Sequence, residues 1–169
     1  DKFTEGPHLY KKDGYYYLFV AQGGTEYAHQ ERAARSRSLR GEFETQPGGP
    51  FLTTLDAPYH PIQKAGHGSL VQTPAGEWYF THLMGRPLHH DYEAVVDPRG
   101  WCPLGRESGI QKLTWDQEGW PHIEGGHNGR EFVEPPLDAE MCCWEEDWPE
   151  RDDFDEPQLN IHFQNLRVP

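Results

Sequence analysis

Three side chains able to handle a polar ligand stand just ahead of three similar stretches of this sequence. Glu5 lies four residues before Leu9, His67 three residues before Leu70, and Arg106 seven residues before Leu113. A carboxylic acid can give up a proton, an imidazole can hold a water or a metal, and a guanidinium offers a fork of N–H donors to hydroxyl or carboxyl groups. Brought onto one rim, they would make a site for a polar, uncharged molecule. Glu5 precedes Gly6-Pro7 and a dense aromatic run. Partial desolvation there would let it stay protonated as a general acid near neutral pH, whereas a purely local role would make it a surface cap on the turn. His67 reads either as a hydrogen-bonded core histidine or as a ligand-facing group. Arg106 reads either as a ligand-binding residue or as a buried ion-pair partner of Glu107 or another acid.

The elements that would position these groups form an internal repeat. His8 to Ala21, HLYKKDGYYYLFVA, reads as strand, tight Asp-Gly turn, strand. Ser69 to Leu83, SLVQTPAGEWYFTHL, repeats this with a Pro-Ala-Gly turn, and Ile110 to Ile123, IQKLTWDQEGWPHI, is a looser third copy around Gly119. Leu9, Leu70 and Leu113 stand 61 and then 43 residues apart, near the roughly 40 to 50 residues of a four-stranded propeller blade. Arg32 to Glu44, RAARSRSLRGEFE, supplies the outer strands between the first two copies. The expectation is an all-β chain with two to three blades of a propeller. In such a fold the first strand of each blade lines a central channel and neighbouring loops share one mouth. Tyr15, Tyr16 and Tyr17, with Trp78, Tyr79 and Phe80, read as aromatics packing blade on blade, because strand alternation sends them to both faces. The adjacent pair His89-His90 reads as a surface loop, and Trp101 as either pocket wall or core.

Composition agrees. Of 169 residues 35% are hydrophobic and 13% aromatic, with 18 glycines and 15 prolines scattered between short apolar runs, a pattern of many short strands and turns. The net charge of -13 argues against nucleic acid and against an anionic membrane surface. No run of about 18 apolar residues exists to span a bilayer, and no charged-then-apolar leader marks a signal peptide; the compartment stays open, with cytoplasmic favoured over secreted. Cys102, Cys142 and Cys143 make an odd set at no metal-ligand spacing and read as reduced thiols. Three segments result: residues 1–133 as propeller blades, 134–157 as an acidic, proline-punctuated strap, and 158–169 as the start of a new β domain. Both ends read as cuts in a longer protein.

Five separated motifs, EGPHLYKKDGYYYLFVAQGGT, ARSRSLRGEFE, QKAGHGSLVQTPAGEWYFTHLMGRPL, RGWCPLGRESGIQKLTW and DDFDEPQLNIHFQNLR, together resemble β-xylosidases of glycoside hydrolase family 43, in order and over nearly the whole chain. The resemblance implies a five-bladed β-propeller followed by a β-sandwich. This chain would be the C-terminal part of that propeller, the strap and the first sandwich strand; its partners would be the upstream blades, the rest of the sandwich and, as an open option, a second copy of the protein. It also implies inverting, exo-acting hydrolysis of xylo-oligosaccharides, with release of arabinose from arabinofuranosides as a further activity. By the same resemblance Glu5 in TEGPH matches the general acid, and Arg106 in CPLGRE the arginine that binds xylose hydroxyls. Cys102 lies on the pocket wall, Thr25 in GGTEY is a pocket threonine, and His67 in AGHGS matches a central-channel histidine. No cofactor is required, although His67 would be the point of attachment for a calcium or other divalent ion in the channel. The catalytic base and an acid-tuning aspartate have no match here and fall upstream of Asp1. Gln22 stands where glutamate is usual. The alternative is a non-catalytic carbohydrate-binding propeller, or an inactive fragment that lacks the base.

Overall fold

The computed structural model describes residues 3–88, 97–140, 153–155 and 157–158. His89, His90, Cys142, Cys143, most of the strap and the expected sandwich strand lie outside the described residues. The chain divides into two units, Asp1–Asp138 and Ala139–Pro169, and the first holds every strand among the described residues. No helix occurs among them.

Two antiparallel sheets make up the first unit. One runs in the order β1 (Glu5–Lys12), β2 (Tyr15–Gln22), β3 (Gln30–Ser36) and β4 (Glu44–Thr45), with β5 (Leu52–Thr53) also pairing β3. The other runs β6 (Gln63–Gln72), β7 (Trp78–Gly85), β8 (Glu107–Trp115) and β9 (Pro121–Ile123). The Asp-Gly turn joins β1 to β2 as expected: Lys12 pairs Tyr15, and Asp13 and Gly14 take φ of 48° and 78°, the left-handed pair that a two-residue hairpin requires. The first two repeat copies are therefore the opening hairpins of two four-strand meanders.

The third copy is not the start of another sheet. Trp78 pairs Leu113 and Met84 pairs Glu107, so Ile110 to Ile123 forms the outer half of the second sheet, β8 and β9. Its alternation is the same as that of an opening hairpin, and nothing local distinguishes the two; the long connection from β7 to β8 simply returns to the sheet it left.

The sheets meet across β6, which packs against β1, β2, β3 and β5. Alternation in β2 buries Tyr17, Phe19 and Ala21, and β7 buries Tyr79 and Phe80. Phe51 joins the two layers: it meets Phe19 edge-on at 5.1 Å and Phe80 edge-on at 5.0 Å. The expected packing role of the aromatic runs thus holds, with Tyr15 and Trp78 lying against the cluster and Tyr16 half-buried. Tyr10 ties the layers further: its hydroxyl, 3.5 Å from His8 Nδ1 of its own strand, accepts the Leu70 N–H at 2.9 Å.

Candidate active site

Both first strands are bulged at their beginnings. β1 shifts register between Glu5 and His8, and β6 shifts between Gln63 and Gly66 and again between Gly66 and Ser69. With Leu9 and Leu70 aligned, Gly6 and His67 occupy the same place, and both are left-handed, at φ of 57° and 53°. Glycine adopts this freely, but histidine does so at a cost of about 1 kcal/mol that its surroundings must offset. The two bulges face each other. A Cβ on Gly6 would lie 2.5 Å from His67 Nε2, so only glycine lets the imidazole lie over the β1 backbone. This brings His67 Nδ1 to 3.6 Å from Glu5 Oε1, within ion-pair range when the ring is protonated and too long for a hydrogen bond.

His29 lies behind them. It is buried, with its ring centroid 6.4 Å from that of His67. Neither ring nitrogen makes a well-formed hydrogen bond, although the Gly24 backbone is near enough to favour the charged ring. Burial is the largest influence and lowers its pKa; His67 and Arg106 lower it further, and Glu5 raises it. The charges of Glu5, His67 and Arg106 are thus all felt at the His29 ring, and of the three only Glu5 and His67 stand within ion-pair range of each other.

Arg106 is exposed, immediately ahead of β8 and not at the head of a first strand. Its alternative role as partner of Glu107 does not hold: Arg86 grips that carboxylate through Nε at 2.9 Å and Nη2 at 2.6 Å, and lowers its pKa. Thr25 is exposed in the turn after β2, beside the left-handed Gly23 and Gly24. Cys102 is half-buried against Gly85, where a Cβ would come within 2.8 Å of its Sγ, and burial raises its thiol pKa. The neighbouring Trp101 is exposed, which removes the core reading for it. Gln22 accepts from Arg32 Nε at 3.2 Å, the contact that a glutamate would strengthen.

Glu5 was expected to be partly desolvated, yet its side chain is 53% exposed, because β1 is an edge strand and none of the described residues covers its open side. For the divalent ion that the resemblance offers at His67, no group of three His, Cys, Asp or Glu side chains among the described residues is arranged to hold a metal. A single imidazole nitrogen is a poor match to calcium, which takes six to eight oxygen ligands.

The sequence reading missed Glu31. It is fully buried in β3, accepts the Gly68 N–H at 3.3 Å, and keeps its other oxygen unpartnered. Burial pushes its pKa up to about 8 against the opposing pull of the His67 and Gly68 N–H groups, which favours the neutral carboxyl over the carboxylate relative to an exposed glutamate. His82 is likewise buried, its Nδ1–H donating to the Leu83 carbonyl at 2.9 Å, and burial lowers its pKa.

With this geometry in place, comparison with known proteins is direct. The model for glycosyl hydrolases family 43 matches residues 2–121. A β-xylosidase of Bacillus subtilis is 48% identical over 99% of this chain and 31% of its own length. A non-reducing end α-L-arabinofuranosidase of Bacteroides ovatus is 38% identical over 98% of this chain and 29% of its own. The crystal structure of a xylan β-1,4-xylosidase from Bacillus halodurans superposes with a TM-score of 0.72 at 49% identity, over 94% of this chain and 28% of that one. The chain thus spans about three tenths of the length of the curated relatives it matches, and it belongs to glycosyl hydrolases family 43.

Proposed function

We propose that the protein carrying this chain is an inverting β-xylosidase, removing xylose from the ends of xylo-oligosaccharides, with arabinofuranosides as second substrates. This chain contributes the proton-donating half of the site. The two meanders are blades of a five-bladed propeller, with β1 and β6 lining its channel, and the segment beyond residue 157 opens a β-sandwich. The single observation that carries the reading is the meeting of Glu5 and His67 at facing bulges, with the charge of Arg106 reaching the same place. The names of the relatives, xylosidases and an arabinofuranosidase, support both substrate classes.

In this reading Glu5 protonates the glycosidic oxygen as the bond breaks, and Arg106 holds the sugar hydroxyls. Inversion requires a second carboxylate about 6.5 to 9.5 Å from the acid, to activate water on the opposite face of the ring. That base belongs to the part of the protein outside this chain.

The test is the stereochemistry of the first product. Full-length protein incubated with an aryl β-xyloside, whose leaving group is a phenol and not a second reducing sugar, and followed by proton NMR should release α-xylose first, with the β-anomer growing in only by mutarotation. Initial release of β-xylose would overturn inversion, and binding without hydrolysis would leave a carbohydrate-binding protein. Arg106→Ala should lower kcat/KM by about 100-fold, the usual cost of removing one charged donor from such a site. An unchanged kcat/KM would remove Arg106 from sugar binding.

A further inference from the structure

Glu31 and Glu5 share one row of the first sheet. Glu5 pairs Ala21 and Ala21 pairs Glu31, so all three side chains project from the same face. The middle residue is small and fully buried, and the opening above it admits His67 from the second sheet. His67 thereby touches both acids: its ring faces Glu5, and its backbone N–H, with that of Gly68, faces Glu31. Successive backbone N–H groups turned toward one acid form a nest, which rewards a left-handed residue that would otherwise be strained.

The strand has little freedom to give. A Cβ on Gly66 would lie 2.8 Å from the Gln30 backbone, and one on Gly68 would lie 2.1 Å from the Thr81 carbonyl oxygen. The bulge is thus wedged between β3 and β7, with Glu31 beneath it as its polar anchor. We propose that Glu31 is a positioning residue for proton donation: through the His67 and Gly68 N–H groups it fixes the β6 bulge, and so sets where the His67 ring meets Glu5. This rests on the reading of Glu5 as general acid.

The test uses the full-length protein with Glu31→Met, which keeps the volume and loses the acceptor, and Glu31→Gln, which keeps a carbonyl acceptor. On xylobiose Glu31→Met should lose about 10- to 100-fold in kcat with KM within about twofold, the scale of a misplaced catalytic group. Glu31→Gln should stay within about threefold of the parent, so that the conservative variant rescues. In a Glu5→Gln background, Glu31→Met should cost less than about twofold more, because a residue acting through Glu5 has nothing left to position. If Glu31→Met does not fold, Glu31→Asp, which withdraws the acid by one methylene, carries the same comparison. Full activity of the Met variant, equal damage by Met and Gln, or a loss that multiplies undiminished in the Glu5→Gln background would each overturn the proposal. A Glu5→Gln protein that hydrolyses xylobiose normally would instead overturn the general-acid reading itself.

Discussion

Glu5→Gln in the full-length protein is expected to slow xylobiose hydrolysis by roughly 10² to 10⁴-fold, the range that a positioned proton donor contributes. The leaving group decides how much is lost. A sugar hydroxyl is a poor leaving group, and its departure without a proton would generate an alkoxide. An aryl xyloside with an acidic phenol leaves as the phenolate and asks little of the acid. The variant should therefore retain most of its rate on the aryl substrate while failing on xylobiose. Glutamine preserves the size of the side chain, and the partly exposed position of Glu5 leaves room for the amide without repacking. The measurement is kcat/KM on both substrates. Equal losses on the two would show that Glu5 supports binding or folding and not proton transfer.

The local features of this fold were readable because they are set by adjacent residues. Asp13-Gly14 dictates a two-residue turn by backbone sterics alone, and the alternation Tyr17, Phe19, Ala21 dictates a buried face. Pairing beyond the hairpin was not readable. Leu113 and Trp120 alternate with their neighbours as Leu9 does, yet the partner of Leu113 is Trp78, chosen by a connection whose course the alternation does not encode. The same limit explains Glu31. In the sequence it stands between Gln30 and Arg32 and looks like part of a solvated face. Period-two spacing does put it on one face with Ala33 and Arg35, both buried, and that was the available signal. What justifies an acid there is a pair of backbone N–H groups from a strand that begins more than 30 residues later, and backbone donors leave no mark on the side-chain pattern. Glu5, His67 and Arg106 stand out in the sequence because their types are chemically suggestive; the approach of Glu5 to His67 is a consequence of the facing bulges and required the fold.

Glu31→Gln should also change how stability depends on pH, in a direction opposite to that of an ordinary surface carboxylate. The native carboxyl titrates at about 8 and an unfolded glutamate near 4.5. Below the lower value both states hold the proton, and Glu31 contributes nothing to the pH dependence. Between the two values the unfolded chain releases its proton while the native chain keeps it, so each rise of one pH unit favours unfolding by about 1.4 kcal/mol. Above the upper value the cost is complete, on the order of 5 kcal/mol. Glutamine carries no titrating proton and fills the same space with its carbonyl still facing the His67 and Gly68 N–H groups. The stability of the variant relative to the parent should therefore climb from pH 5 to pH 8 and then level off, whatever constant offset the amide introduces. Urea unfolding of the two full-length proteins at pH 5, 6.5, 8 and 9 gives this difference directly, because every other titrating group is common to both. Parallel stability curves across that range would mean that Glu31 ionises in the native state as it does in the unfolded chain, and that the carboxyl beneath the β6 bulge is solvated.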